Sequence, residues 1–307
     1  MAPTKSQLNA QHCRDFVSAT HSTPYDAIDP SHAKLPPAFV ACIIGGRGAA
    51  GAGLAKAYAR AGASGLILAA RTLPALEETA NEVRSINPTT KVTTAECDIT
   101  SESNVESLAH TIESKFAGRL DVVVVNSGYT GPMTSDVVKE SPKDYQNAFN
   151  VNTIGVFYAA HYLLPLLVAT NSPAMSFLAI SSMSAPTVSG PITHTHYCVS
   201  KAAQARLIEM INEQYAENGL FCASIHPGGL KSEFSRDAPE WLAKYLTDSP
   251  DLVGAFCVWL STSSGSERRR RALNGRFLSC KWDVAELEAR FDEIVEKDLL
   301  RFRIAVE

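Results

Sequence analysis

Two stretches of this sequence carry residue types and spacings that can do chemistry. Residues 197 to 201 read "YCVSK", placing a phenol and an ammonium four positions apart in a segment with helical patterning. On a helix, Tyr197 and Lys201 then share one face within reach of each other. A phenol with a pKa of about 10 is a poor proton donor or acceptor at neutral pH, and a neighbouring positive charge favours its phenolate; a shift of about three units corresponds to about 4 kcal/mol. So activated, Tyr197 could move the hydroxyl proton of an alcohol or carbonyl while hydride passes to or from a nicotinamide. The second stretch, "IIGGRGAAGAGLAKAYARAGA" at residues 43 to 63, is nearly bare of side chains. Small residues there serve either close packing or the approach of a bound phosphate to open backbone N–H groups.

The elements that must position these residues are legible in the patterning. Seven short apolar runs, "FVACII", "GLILAA", "KVTTAEC", "DVVVVN", "SFLAIS", "LFCASIH" and "GRFLSC", read as strands. Between them, segments 72 to 87, 101 to 116, 141 to 168 and 197 to 217 repeat apolar residues at helical spacing. Such alternation predicts an α/β fold, a doubly wound parallel sheet of about seven strands with helices on both faces. The glycine-rich stretch falls between the first strand and first helix, where Leu54, Tyr58 and Ala61 form an inward stripe. A helix N-terminus at that junction would bind a pyrophosphate. Irregular structure is expected around 185 to 196 and 229 to 250. The chain divides into a polar N-terminal extension at 1 to 38, a dinucleotide-binding domain at 39 to 282, and a C-terminal helix and tail at 283 to 307. In that tail Leu287, Phe291, Ile294 and Val295 mark one amphipathic helix, packed on its own domain or serving as a lid or dimer contact.

Composition excludes several classes of partner. The 307 residues carry a formal charge of -4, a pI near 6.1 and 45% hydrophobic residues, so neither nucleic acid nor a membrane is expected as partner. The run "RRRR" at 268 to 271 reads as a solvated loop. Seven cysteines without a CxxC pair read as small buried hydrophobes in a reducing compartment, and a cytoplasmic protein is expected. His194 and His196, in "THTHY", lack further ligands at zinc spacing, so no metal is expected and they are assigned to the loop or pocket.

With these residues in place, the chain resembles the short-chain dehydrogenase/reductase family over nearly all of residues 39 to 282. The family's TGxxxGxG aligns with Gly45, Ala49 and Gly51, with Ala50 between the last two and Arg47 inside the turn; Ile44 and Ala49 replace the usual Thr and middle Gly. The resemblance further implies Asp98 of "CDIT" near the adenine, although a turn or cap role suits that residue equally. It places Asn126 and Gly128 of "VNSG" along the cofactor, and Pro227, Leu230 and Ser232 of "HPGGL" and its sequel near the nicotinamide carboxamide. It gives Asn152 a place in a proton relay beside Lys201, and gives Lys201 a contact to the nicotinamide ribose.

A serine that polarises the reacting oxygen is also implied. Strand position favours Ser182, spacing favours Ser184; Ser182 is preferred, with Ser181 facing away and an enlarged loop "PTVSGPITHTH" following. Arg71 stands after the second strand, where an NAD enzyme would offer an acidic ribose partner, so the expected cofactor is NADP, with Arg47 as a second phosphate contact. The family resemblance implies a small-molecule substrate and a homodimer or homotetramer, and the tail is similar to that of a fungal branch of secondary metabolism. The function expected is reduction of a ketone or oxidation of a secondary alcohol. An isomerase, dehydratase or cyclase holding NADP structurally is the alternative.

Overall fold

A computed structural model describes residues 11, 13–134, 136–190, 193–236, 240–262 and 266–304. All seven expected strands form: β1 (Val40–Ile44), β2 (Gly65–Ala70), β3 (Lys91–Glu96), β4 (Val122–Val125), β5 (Ser176–Ile180), β6 (Phe221–His226) and β7 (Arg276–Ser279). They make one parallel sheet in the order β3-β2-β1-β4-β5-β6-β7. Five of the seven, β1, β2, β4, β5 and β7, are buried along their whole length. That explains why β1, β2 and β4 read as continuous apolar runs and not alternating ones. The crossovers are α1 (Gly48–Arg60), α2 (Leu73–Ile86), α3 (Glu102–Phe116), α4 (Pro142–Phe149), α5 (Gly155–Thr170), α6 (Thr195–Tyr215), α7 (Pro250–Ser261) and α8 (Ser266–Leu273).

Two apolar layers result, one on each face of the sheet. Leu54 and Tyr58 of α1, Leu76 of α2 and Phe256 of α7 fill one; Leu108 of α3, Leu163 of α5 and Ile208 of α6 fill the other. Helix α1 approaches α7 so closely that a Cβ on Gly53 would lie 2.1 Å from the Pro250 carbonyl oxygen. Part of the alanine and glycine richness of residues 43 to 63 therefore serves helix packing. Helices α4 and α5 join through a π-turn, Asn150–Ile154, into one apolar rod from Pro142 to Thr170. By length and composition alone this rod could cross a bilayer, but its Val156, Ala159, Leu163 and Leu167 are buried in the second apolar layer.

Three expectations are corrected. The "RRRR" run is no solvated loop: it forms α8, where Arg269 is buried, lies 3.9 Å over the Trp259 ring and donates to the Trp259 carbonyl, while Arg270 donates to the Met175 carbonyl. Solvation was expected from charge alone, yet guanidinium groups cover apolar surface while satisfying carbonyls. The C-terminal helix is two, α9 (Val284–Ala289) and α10 (Phe291–Glu296), broken at Arg290. Leu287, Phe291 and Ile294 are buried in the first apolar layer, so these helices pack on their own domain. The region 229 to 250 contains two helical turns, Glu233–Ser235 and Glu240–Ala243.

The described part of the N-terminal extension is folded too. Trp282 donates to the Arg14 carbonyl and forms a bridge with Thr20, while Glu286 accepts from the Ser18 and Ala19 amides. Residues 1–10, 12 and 305–307 of the two terminal segments lie outside the described residues, as do 191 and 192 of the enlarged loop.

Candidate active site

The sheet reverses direction of travel between β1 and β4, and the carboxyl ends of β1, β2, β4, β5 and β6 lie in register along one edge. In such sheets ligands bind in the crevice beyond those ends. The glycine-rich turn sits there. A Cβ on Gly51 would come within 2.3 Å of the Gly45 carbonyl oxygen, so this glycine is required by close packing of the turn on itself. Gly48 differs: its φ is +70° and nothing lies within 4 Å of where a Cβ would be. Packing and open backbone thus divide the glycines between them. The N-cap of α1, Arg47, makes no capping bond with its side chain, and Ala49 and Ala50 are partly exposed in the first turn. Open amides at a helix N-terminus suit a pyrophosphate.

Asn126 braces this turn from β4, its Nδ2 donating to the Gly45 carbonyl at 2.7 Å. Gly128 follows, exposed at the crevice. Arg71 stands exposed just after β2, and Arg47 pairs with Glu233 at 2.9 Å. The Asp98 carboxylate accepts from the amide and hydroxyl of Thr100, at 2.9 and 2.8 Å, so its turn role is realised.

The second half of the site is built at the end of β5. The Ser182 hydroxyl lies beside the Tyr197 phenol, close enough to favour the phenolate. Ser184 instead faces the Cys198 thiol, and the Ser182 hydroxyl also accepts from the Ser184 amide at 3.1 Å. Strand position, not spacing, therefore locates the serine beside the phenol. Ser181 is buried, with its amide bonded to the Ile225 carbonyl. Burial pushes the Tyr197 phenol up to about 12, and the Ser182 hydroxyl opposes that shift.

Lys201 is almost fully buried, and burial pulls its ammonium down to about 7. Its Nζ donates to the Ile180 carbonyl at 2.8 Å and to Gln204 Oε1 at 3.3 Å. Its Nζ is directed at the end of β5, and desolvation dominates both groups.

This has a measurable consequence for stability. The folded pKa of Lys201, about 7, lies below the unfolded value of about 10.4, so between those pH values only the unfolded chain binds the proton. Stability then rises with pH across that window, and the penalty is fully present below it. Lys201→Met is expected to raise the melting temperature relative to wild type by several degrees more at pH 6 than at pH 10. Thermal unfolding at the two pH values checks this; an equal difference at both would show that Lys201 is charged throughout.

Asn152, in the π-turn, has every polar atom of its side chain engaged. Oδ1 accepts from the Tyr129 amide at 2.8 Å, and Nδ2 donates to the Tyr129 carbonyl at 2.8 Å and to Ser200 Oγ at 3.0 Å. Ser200 in turn donates to the Tyr197 carbonyl at 2.9 Å. Asn152 thereby ties the loop after β4 to the helix that carries Tyr197.

His194, assigned from sequence to the loop or pocket, is joined at the site by contributors that the sequence did not show. His194 stacks on Tyr197, with centroids 5.0 Å apart and planes within 6°. Their i, i+3 spacing at the start of a helix was the available signal. Glu140 accepts from the amides of Thr195 and His196 at 2.6 and 3.2 Å, capping α6 from a segment 55 residues away. No local pattern announces that. His226, its imidazole pulled down to about 4 by burial, accepts from the Met183 amide and fixes the turn after Ser182. Beyond it, Pro227 and Leu230 are partly buried, and the Ser232 amide donates to the Ser235 hydroxyl. Among the described residues no group of three or more His, Cys, Asp and Glu side chains is arranged to hold a metal.

Two surface hollows elsewhere, of about 460 Å³ beside Arg268 and Phe291 and about 540 Å³ beside Arg119 and Leu166, bring together no comparable acid–base pair.

The family model described as short chain dehydrogenase matches residues 39–243. The short chain dehydrogenase pgmD of Aspergillus terreus is 32% identical, covering 98% of this chain and 97% of its own. The short chain dehydrogenase citE of Monascus ruber is 30% identical over 95% and 97%. Among solved structures, a 7α-hydroxysteroid dehydrogenase complexed with NADH and 7-oxo glycochenodeoxycholic acid superposes with a TM-score of 0.69 over 83% of this chain and 96% of its own, at 23% identity. A short-chain dehydrogenase/reductase from Mycobacterium marinum gives 0.67 over 78% and 93%, at 24% identity. At such identities the structures speak for the fold.

Proposed function

Because the chain belongs to the short-chain dehydrogenase family, we propose that it is an NADP-dependent oxidoreductase that reduces a ketone or oxidises a secondary alcohol, with a secondary metabolite as substrate. The observation that carries the reading is the Ser182–Tyr197 hydroxyl pair at the same sheet edge as the open glycine-rich turn. The turn, with Gly48 in a conformation that leaves open space above it and Arg71 exposed beyond β2, fits the phosphates of a dinucleotide.

When bound, the nicotinamide supplies the hydride donor or acceptor. The chain's own residues handle the proton. In the direction of reduction, Ser182 donates a hydrogen bond to the substrate oxygen and Tyr197 delivers its hydroxyl proton there as charge develops. A charged Lys201 Nζ has three donors, of which Ile180 and Gln204 take two, leaving one for a ribose hydroxyl. Its charge, together with that of an oxidised nicotinamide, would lower the cost of forming the phenolate that burial alone makes high. Asn152 holds Tyr129 and, through Ser200, the turn of α6 bearing Tyr197, which is its part in the relay. Exposed Ile154, Phe157 and Val199 on the outer faces of the π-turn, α5 and α6 support assembly with a second copy, and the buried free thiols suit a cytoplasmic location.

The reaction is tested by following the reduced-nicotinamide absorbance while a panel of ketones is offered with NADPH; turnover of a substrate without any net absorbance change would favour the isomerase or cyclase reading. The cofactor choice is tested at Arg71. Arg71→Asp is expected to weaken NADP binding by about 1 to 3 kcal/mol, because a charge-assisted contact is lost and a repulsion gained. Titration of NADP and NAD into both proteins decides, and a substitution that leaves NADP affinity untouched would overturn the assignment.

A further inference from the structure

Glu233 lies 186 residues from Arg47 in sequence, yet its carboxylate accepts from the Arg47 guanidinium at 2.9 Å. Arg47 belongs to the glycine-rich turn; Glu233 opens the short helix Glu233–Ser235 directly after Leu230 and Ser232. One ion pair therefore ties the phosphate end of the crevice to the loop at its other end. Arg47 first, then Arg236 and Arg71, hold the Glu233 carboxyl below the usual carboxylate range. Arg47 is thus the guanidinium that holds this carboxylate, and a guanidinium in the glycine-rich turn is the kind of donor a phosphate monoester would take up.

The two ends of this loop are held differently. At its base, Asp248 accepts from the Gly229 amide at 2.6 Å and pairs with Lys281, and Asp248 is buried. At Glu233 the tie is an exposed pair, with the Arg47 side chain 32% and the Glu233 side chain 61% accessible. Pairs of this kind contribute little to stability and exchange readily for another partner. Arg47 cannot give its full charge both to Glu233 and to a second anion, and a phosphate beside an unmoved Glu233 would meet like charge.

We propose that Glu233 is a specificity-determining residue that competes with the cofactor's 2′-phosphate for Arg47, so that binding of a 2′-phosphorylated dinucleotide frees the loop carrying Leu230 and Ser232, whereas NAD leaves it tied. The proposal rests on the NADP reading above. It makes Glu233 a brake on NADP affinity and a link between the cofactor's adenosine end and the nicotinamide-side loop.

The experiment is equilibrium titration of full-length wild type, Glu233→Gln and Arg71→Asp with NADP and with NAD. Glu233→Gln is expected to tighten NADP binding about threefold to tenfold, the range for releasing one exposed ion pair and one like-charge contact, and to change NAD binding less than twofold. If Glu233→Gln leaves NADP affinity unchanged, there is no competition; if it weakens NADP, Glu233 positions Arg47 for the cofactor. Either overturns the proposal. The underlying reading fails separately, when Arg71→Asp leaves NADP and NAD affinities as they were in wild type.

Discussion

Tyr197→Phe is expected to turn over about 10² to 10⁴ times more slowly than wild type, the range for removal of a general acid–base group, while keeping its fold and its dinucleotide affinity. Only one oxygen is deleted from a side chain that is 7% exposed, and the ring keeps its stack on His194. The pyrophosphate and ribose contacts are assigned to the glycine-rich turn, Arg71 and Lys201, none of which is altered. What disappears is the proton that must reach the reacting oxygen. Steady-state turnover and dinucleotide titration of both proteins measure the two halves of the claim. A variant that turns over at the wild-type rate would end the oxidoreductase mechanism and bring forward the isomerase or cyclase alternative, in which the phenol has no obligatory task.

The second large effect is expected at Ser182, whose alanine variant should lose about 10² or more in turnover if its hydroxyl steadies charge on the substrate oxygen. Ser184→Ala should be mild, because that hydroxyl faces Cys198 and not Tyr197. The contrast is informative because the two variants lose the same chemical group two residues apart. A merely structural role for the turn after β5 would make both losses similar. Ser182→Ala should also raise the pH at which Tyr197 titrates, since the Ser182 hydroxyl is what holds the phenol back against burial. The reverse ranking in turnover would place the oxygen-polarising serine at 184.

Local patterning in the sequence was enough for the order of the seven strands and for most of the helices between them, though not for α8 or the break in the C-terminal helix. Each strand was marked by a short β-rich run, continuously apolar in β1, β2 and β4, which are buried on both faces, and more polar in the edge strand β3, which is not. The same holds for α1 to α3 and α6, where apolar spacing is a local property, and for the roles of Gly45, Arg71, Ser182 and Tyr197 as candidates, since a short motif between a strand and a helix announces its place on the sheet edge. What the tertiary structure alone decided are facts that depend on groups far apart in the chain. The cap on α6 comes from Glu140, the tie on Arg47 from Glu233, and the brace on the Tyr129 loop from Asn152. The direction of Lys201 is another: spacing put its ammonium beside Tyr197, but burial and the Ile180 carbonyl determine where Nζ points and how strongly it holds its proton. The arginine run of α8 makes the same point, since its charge was visible in sequence but not the Trp259 ring and the carbonyls that take two of its four guanidinium groups out of solvent. Local sequence encodes backbone preference and which face is apolar, whereas a side chain's partner and its proton affinity follow from desolvation and distance, which exist only once the chain has folded.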